Sequence, residues 1–247
     1  MYPGHLCICN SSAPLPVLRI DGDKRIGTFI RRLNRFAVEI LLDGTPAMAH
    51  LPNTGRMSEL LVPGHTVLAT KAGLSIARKS HYDLLMVKTG NAWVSVDSRV
   101  PNRLLRLAIS QGYLSQFTSF TAIKPEATFE DSRIDFLLAN DQQRCYVETK
   151  SVNLVQDKVA LFPDAPTIRG RRHIESLCSA MNQGFEAAVV FMIQRDDAGS
   201  FSPNDVADPS FGVALRKAKD AGVGIYAYRC RATPEHISLA SPVPVLL

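Results

Sequence analysis

Near residue 96 the hydrophobic rhythm of this chain changes, and no uniform architecture accommodates both sides of the break. Before it, branched and apolar residues form short runs divided by tight turns; after it, segments with helical spacing alternate with strand-like runs. Side chains return to the same face every two residues on a strand and every ~3.6 on a helix, so the two halves bury their apolar residues in different ways. The chain therefore reads as two domains, residues 1–95 and 96–247, with residues 1–15 a loose extension containing Pro, Ser and Cys.

The first domain reads as β. Residues 25–40 are rich in branched side chains, Asp43-Gly44 turns the chain into residues 47–51, and Pro52-Asn53-Thr54-Gly55 is a loop. Residues 58–62 fit one helical turn, Pro63-Gly64 leads into a strand over 65–70, and residues 82–88 and 92–96 flank Thr89-Gly90-Asn91 as a second hairpin. About five short strands with an inserted turn of helix suit an OB-fold-like (oligonucleotide-binding) small closed β-barrel. In the second domain a helix is predicted over 101–113, strands over 120–129, 133–139 and 145–152, and a helix from about 170 to 182. A buried strand over 187–194, a helix over 208–221 and a last strand over 223–228 follow. That order predicts an α/β domain with a mixed central sheet.

Composition narrows the class. Hydrophobic residues make up 46% and charged residues 21% of the chain, as in an ordinary globular protein. No apolar run approaches the ~20 residues of a spanning helix, and the N-terminus lacks the basic start and apolar core of a secretory signal. The five cysteines (Cys7, Cys9, Cys145, Cys178 and Cys230) are odd in number and scattered. They form neither a disulfide framework nor a zinc pattern, which points to a reducing, cytoplasmic setting. The net charge of +5 is unevenly placed: residues 1–95 hold 11 Lys/Arg against 6 Asp/Glu, while the remainder is balanced. A small basic domain attracts polyanions at long range.

The chemistry-bearing residues lie on two adjacent predicted strands, Asp135 in SRIDFLL and Glu148 and Lys150 in YVETKS. Residues i and i+2 of a strand share a face, so Glu148 and Lys150 project together, with Val147 and Thr149 on the other side. A hairpin through Asn140-Asp141 brings Asp135 beside Glu148. Two adjacent carboxylates repel unless a divalent cation lies between them. Mg²⁺ or Mn²⁺ held there would polarise a phosphodiester and acidify a bound water, with Lys150 stabilising the developing charge. This is the D…E-x-K arrangement of the restriction-endonuclease-like (PD-(D/E)xK) superfamily. An exposed strand with structural Arg133–Asp135 and Glu148–Lys150 pairs is the alternative. Glu126, on the preceding strand, is a candidate further metal ligand or a solvated residue after Pro125. Gln194, at the end of a buried strand, is a weaker candidate for the same edge.

Two basic clusters complete the picture. Arg169, Arg171, Arg172 and His173 gather at a helix start, where cations are unfavourable without an anionic partner. A phosphate there would also meet free backbone N–H groups; pairing with Asp164 and Glu175 is the alternative. In the first domain Arg31, Arg32 and Arg35 crowd one strand region, with Arg56 and Lys79 extending the basic surface. Arginines of this kind hold phosphates, which predicts largely sequence-independent DNA binding. Phe29 and Phe36, interleaved among these arginines, read as core residues.

The motifs FIRRLNRF, HLPNTGRM, ARKSHYDL, PNRLLRLAI, SRIDFLL, YVETKSVNL and FPDAPTIRGRRH, in that order, resemble the sugar fermentation stimulation protein A family. The likeness runs from about Gly27 to Tyr228. It implies an N-terminal oligonucleotide-binding barrel, a C-terminal nuclease-like domain, non-specific DNA binding and a regulatory role in bacterial sugar (maltose-type) use. Asp135, Glu148 and Lys150 fall on the family's nuclease-like positions, and Arg32 and Arg35 on its basic motif. The chain departs from the family at Thr149, where Val is usual. Two readings stay open: an active metal-dependent deoxyribonuclease, or a non-catalytic DNA-binding regulator.

Overall fold

In the computed structural model, residues 9–72 and 80–247 are described. The first seven strands are β1 (Val17–Arg19), β2 (Lys24–Asn34), β3 (Ala37–Leu42), β4 (Thr45–His50), β5 (Thr66–Lys71), β6 (Tyr82–Thr89) and β7 (Ala92–Ser95). Strand β2 pairs with both β3 and β5, β3 with β4, and β5 with β6. Parallel pairing of β4 with β6, Ala49 opposite Tyr82 and His50 opposite Asp83, closes the ring. Closure of five strands removes the unpaired edges that an open sheet would expose and yields the OB-type barrel.

Local chemistry explains its corners. Residues 25–40, which read as one run, are two strands, because Arg35 and Phe36 turn the chain and the Asn34 side chain accepts the Phe36 N–H at 2.8 Å. At the next corner Asp43 and Gly44 both have positive φ, as a two-residue hairpin turn between right-twisted strands requires. The interior holds Phe29, Val38, Ile40, Leu51, Leu60 and Leu84. Phe29 is in the core as expected, whereas Phe36 stands 52% exposed on the turn.

The second unit contains α1 (Val100–Ser110), β8 (Ala122–Phe129), β9 (Ser132–Ala139), β10 (Arg144–Val152), β11 (Val155–Gln156), β12 (Val159–Phe162) and α2 (Ile168–Asn182). It continues with β13 (Glu186–Ile193), β14 (Ser200–Pro203), α3 (Pro209–Asp220), β15 (Gly224–Ala232) and β16 (His236–Pro242). The main sheet runs β8-β9-β10-β13-β15-β16-β1, antiparallel at both ends and parallel across β10, β13 and β15. Both faces of the parallel centre are covered, which explains why β13 is apolar without alternation. Val189, Phe191 and Ile193 pack toward α2 and α3, and Val190 and Met192 pack toward α1. No helix among the described residues is long and apolar enough to cross a membrane.

Two expectations change. The strand over 223–228 is not the last, since β16 follows and pairs with β15. The N-terminal segment is not loose where it is described: Cys9 bridges to Leu114, the Asn10 N–H reaches the Tyr113 carbonyl at 2.9 Å, and β1 pairs along β16. Residues 9–19 therefore pack with the second unit, although they precede the barrel in the chain. A segment led in by Pro14 and Pro16 suits an edge strand, where N–H groups are needed on one side only. The two units are also joined directly, with Trp93 of β7 paired to Ala232 of β15 and the Ser95 N–H on the Gln194 carbonyl at 3.1 Å.

Candidate active site

The β9–β10 ladder runs from Ala139↔Arg144 to Phe136↔Val147 and stops there. Beyond it the Asp135 carboxylate takes over the partner strand's hydrogen bonding. Its Oδ2 accepts the Thr149 N–H at 2.8 Å and its Oδ1 accepts the Asn102 amide of α1 at 2.8 Å. The Asp135 N–H points at Glu148 Oε2, 3.4 Å away. The two carboxylates are thus brought side by side where the strands part.

Glu148 and Lys150 share the α2 face of β10, as the period of two demands, and are 3% and 9% exposed. Their neighbours across β13 are Val189 and Phe191, so the charges lie in apolar surroundings and need partners. Lys150 Nζ donates to Glu148 Oε1 at 2.6 Å, and His173 Nδ1 of α2 contacts the same oxygen. Burial together with the Glu148 charge pushes the Asp135 carboxyl up, only partly offset by the Thr149 and Asn102 hydrogen bonds. Burial acts in the same direction on Glu148, but the Lys150 ammonium and His173 outweigh it and hold that carboxyl below its usual range. One carboxylate is electrostatically satisfied and the other is short of positive charge. The hard oxygen donors of Asp135 and Glu148 fit Mg²⁺ or Mn²⁺.

These side chains line a cleft of about 600 Å³ between the two units. One wall is the barrel loop around Asn53, Gly55 and Arg56, and the other is the segment from Leu161 to the start of α2. The walls are tied together: Asp164 Oδ2 accepts the N–H groups of Arg56 (2.8 Å) and Met57 (3.1 Å). A Cβ on Gly55 would lie 3.1 Å from that carboxylate oxygen, so the loop approaches closely where only glycine fits easily. Arg32 holds the loop from behind. Its guanidinium donates to the carbonyls of Gly55 (2.7 Å), Arg56 (3.1 Å), Arg35 (3.0 Å), Asn53 (3.2 Å) and Asn34 (3.1 Å).

The structure brings together Asp135, Glu148, Lys150, Arg35, Arg56, Arg169 and His173 around this cleft. It does not bring the others. Arg32 spends its donors on backbone carbonyls and offers no fork to a phosphate. Arg31 pairs with Glu39 across the β2–β3 hairpin at 2.8 Å, away from the cleft. Arg171 lies 3.6 Å from Glu175 and faces the groove toward α3, and Arg172 lies against the β8–β9 turn beside Asp131. Of the residues it does bring, His173 is buried against Glu148 rather than presented to solvent. Glu126 is 69% exposed and 3.6 Å from Arg133, and among the described residues no group of three or more His, Cys, Asp or Glu side chains is arranged to hold a metal. Gln194 is fully buried, donating to the Met192 carbonyl, and stands clear of the cleft. Lys79 lies outside the described residues. Asn102 and Asp164 went unrecognised as site residues, although both sit inside motifs quoted above; neither amide nor lone carboxylate announces a role until the fold shows what it holds.

Comparison with known proteins accounts for both units. Residues 99–236 match the family described as the sugar fermentation stimulation protein RE domain, and residues 30–96 match the SfsA N-terminal OB domain. The chain is 45% identical over 221 residues to a sugar fermentation stimulation protein homolog of Moorella thermoacetica, covering 89% of this chain and 95% of that one. It is 44% identical over 249 residues to a homolog of Symbiobacterium thermophilum, covering 95% and 97%. A solved structure of Pyrococcus furiosus SfsA, described as in complex with Ca²⁺, superposes with a TM-score of 0.87 at 27% identity, over 95% of this chain and all of that one. An OB barrel joined to a mixed-sheet domain, the matched motifs and this level of identity together place the chain in the sugar fermentation stimulation protein family.

Proposed function

We propose that this chain is a cytoplasmic DNA-binding protein that hydrolyses phosphodiester bonds with Mg²⁺ or Mn²⁺ at Asp135, Glu148 and Lys150. The observation that carries the reading is a buried pair of adjacent carboxylates with a lysine, at the floor of a cleft whose rim carries Arg35, Arg56 and Arg169. A relative of the same fold described as a Ca²⁺ complex supports a divalent ion in such a protein. When bound, the ion polarises a phosphodiester and lowers the pKa of its water. Asp135 and Glu148 are the residues that would hold it. Lys150 is positioned to stabilise charge developing on the phosphate. His173 keeps Glu148 oriented and ionised, and the rim arginines hold the flanking phosphates.

A second reading has its own support. Lys150 and His173 both sit on Glu148 Oε1, a self-contained arrangement that suits a non-catalytic, DNA-binding regulator of sugar metabolism. Cleavage of supercoiled plasmid and of labelled single strands, assayed with Mg²⁺, Mn²⁺ or EDTA, separates the two. Metal-dependent cleavage lost in Asp135→Asn supports hydrolysis. Absence of cleavage together with absence of Mn²⁺ binding leaves the regulator.

A further inference from the structure

The proposed hydrolysis leaves the form of the DNA unspecified, and three observations bear on it. The first is the size and rigidity of the cleft. Its volume of about 600 Å³ is that of a pocket burying one drug-sized molecule, hence a nucleotide or two rather than a double helix. The walls are joined at several points. Asp164 ties the barrel loop to the second unit, the Ser98 hydroxyl donates to the Pro52 carbonyl at 2.6 Å, Asn153 donates to the Ser95 carbonyl at 2.6 Å, and β7 is paired into β15.

The second observation is unused hydrogen-bonding capacity inside the cleft. Thr149 is 7% exposed, and its Oγ1 has no hydrogen-bond partner among the described residues; the Ser151 Oγ is likewise unpartnered. Both residues line the cleft on the β10 face opposite Glu148 and Lys150. A buried hydroxyl left unpaired costs free energy, so a polar occupant is favoured there. The third observation is Phe36. It is 52% exposed on the turn that also carries Arg35, and Arg35 lines the cleft. An exposed ring beside a phosphate-binding arginine stacks an unpaired base, which a paired base inside a duplex does not offer.

We infer that the substrate is a single DNA strand, threaded between the barrel loop and β10, with an unstacked base on Phe36 and backbone phosphates on Arg35 and Arg56. This rests on the phosphodiester-hydrolysis reading and specifies its substrate. The assay is fluorescence anisotropy of the wild-type protein in EDTA, where metal-dependent cleavage is silent. The probes are a labelled oligodeoxynucleotide of about 12 nucleotides, the blunt duplex of the same sequence, and the corresponding RNA strand. The single DNA strand is expected to bind at least about tenfold tighter than the duplex, and Phe36→Ala to lose roughly tenfold in single-strand affinity with an unchanged melting temperature. Equal or tighter duplex binding overturns the inference while leaving hydrolysis of duplex DNA intact. Tighter binding of the RNA strand overturns the choice of DNA. No binding of any probe overturns both this inference and the reading beneath it.

Discussion

Replacing Arg32 discriminates sharply between what its motif suggests and what its surroundings show. As a member of a basic cluster it is expected to contact phosphate, yet in the structure all five of its hydrogen bonds end on backbone carbonyls of the cleft loop and the β2–β3 turn. Those to Gly55 and Asn53 are partly buried, and the other three carbonyls are exposed and regain water when the side chain is removed. A hydrogen bond to a charged group contributes about 1.5–3 kcal/mol, so the two partly buried ones set a cost for Arg32→Ala of about 3–6 kcal/mol. For a chain of this length each kcal/mol lowers the melting temperature by roughly 2–4 °C, giving a fall on the order of 10 °C. Arg32→Lys keeps the charge but not the planar fork and falls in between. Thermal unfolding followed by circular dichroism measures this directly. A variant that melts within about 2 °C of the parent while its salt slope for DNA binding falls by about 0.9 would refute the argument and restore Arg32 as a phosphate contact.

Arg35→Ala is expected to do the opposite, leaving the melting temperature in place and reducing the log–log salt slope for DNA by about 0.9, while Arg171→Ala, paired with Glu175 away from the cleft, leaves the slope unchanged. Asp208 caps α3 through the Phe211 N–H (3.0 Å) and also accepts the Thr167 N–H (2.8 Å) at the start of α2. Asp208→Ala should therefore lose about 2 kcal/mol, read as a lower urea midpoint. The Arg195 hydrogen bonds hold the Asp197 carboxyl below its ordinary value. A depressed folded-state pKa contributes stability above the unfolded value of about 3.9 and loses it as pH falls through the folded one. Because Asp197 is 42% exposed the contribution is at most about 1 kcal/mol, and Asp197→Asn should remove that part of the acid-induced loss in a pH series of urea titrations.

Much of the architecture was legible without coordinates. The change of rhythm near residue 96 separates the barrel from the mixed sheet, and the helices and most strands fall where their periods predict, because burial acts on patterns that are local in the chain. The E-x-K spacing placed Glu148 and Lys150 on one face for the same local reason, and the Asn140-Asp141 turn carried Asp135 to them. What sequence missed depends on contacts between distant segments. β16 exists because it pairs with β15, and the edge strand β1 because it pairs with β16, a partnership between residues more than two hundred positions apart.

The fate of the arginines is the clearest division between the two kinds of information. Residue type determined that Arg31, Arg32, Arg35, Arg56, Arg169, Arg171 and Arg172 would each carry a permanent charge and a set of N–H donors. Only the tertiary structure decided where those donors go: Arg32 to carbonyls of the barrel loop, Arg31 and Arg171 to acidic neighbours, and Arg35, Arg56 and Arg169 to the rim of the cleft. The physical reason is that a guanidinium binds any well-placed oxygen, whether carbonyl, carboxylate or phosphate. Which oxygen lies within reach is set by chain crossings such as Asp164 on the Arg56 backbone, and these join residues 108 positions apart.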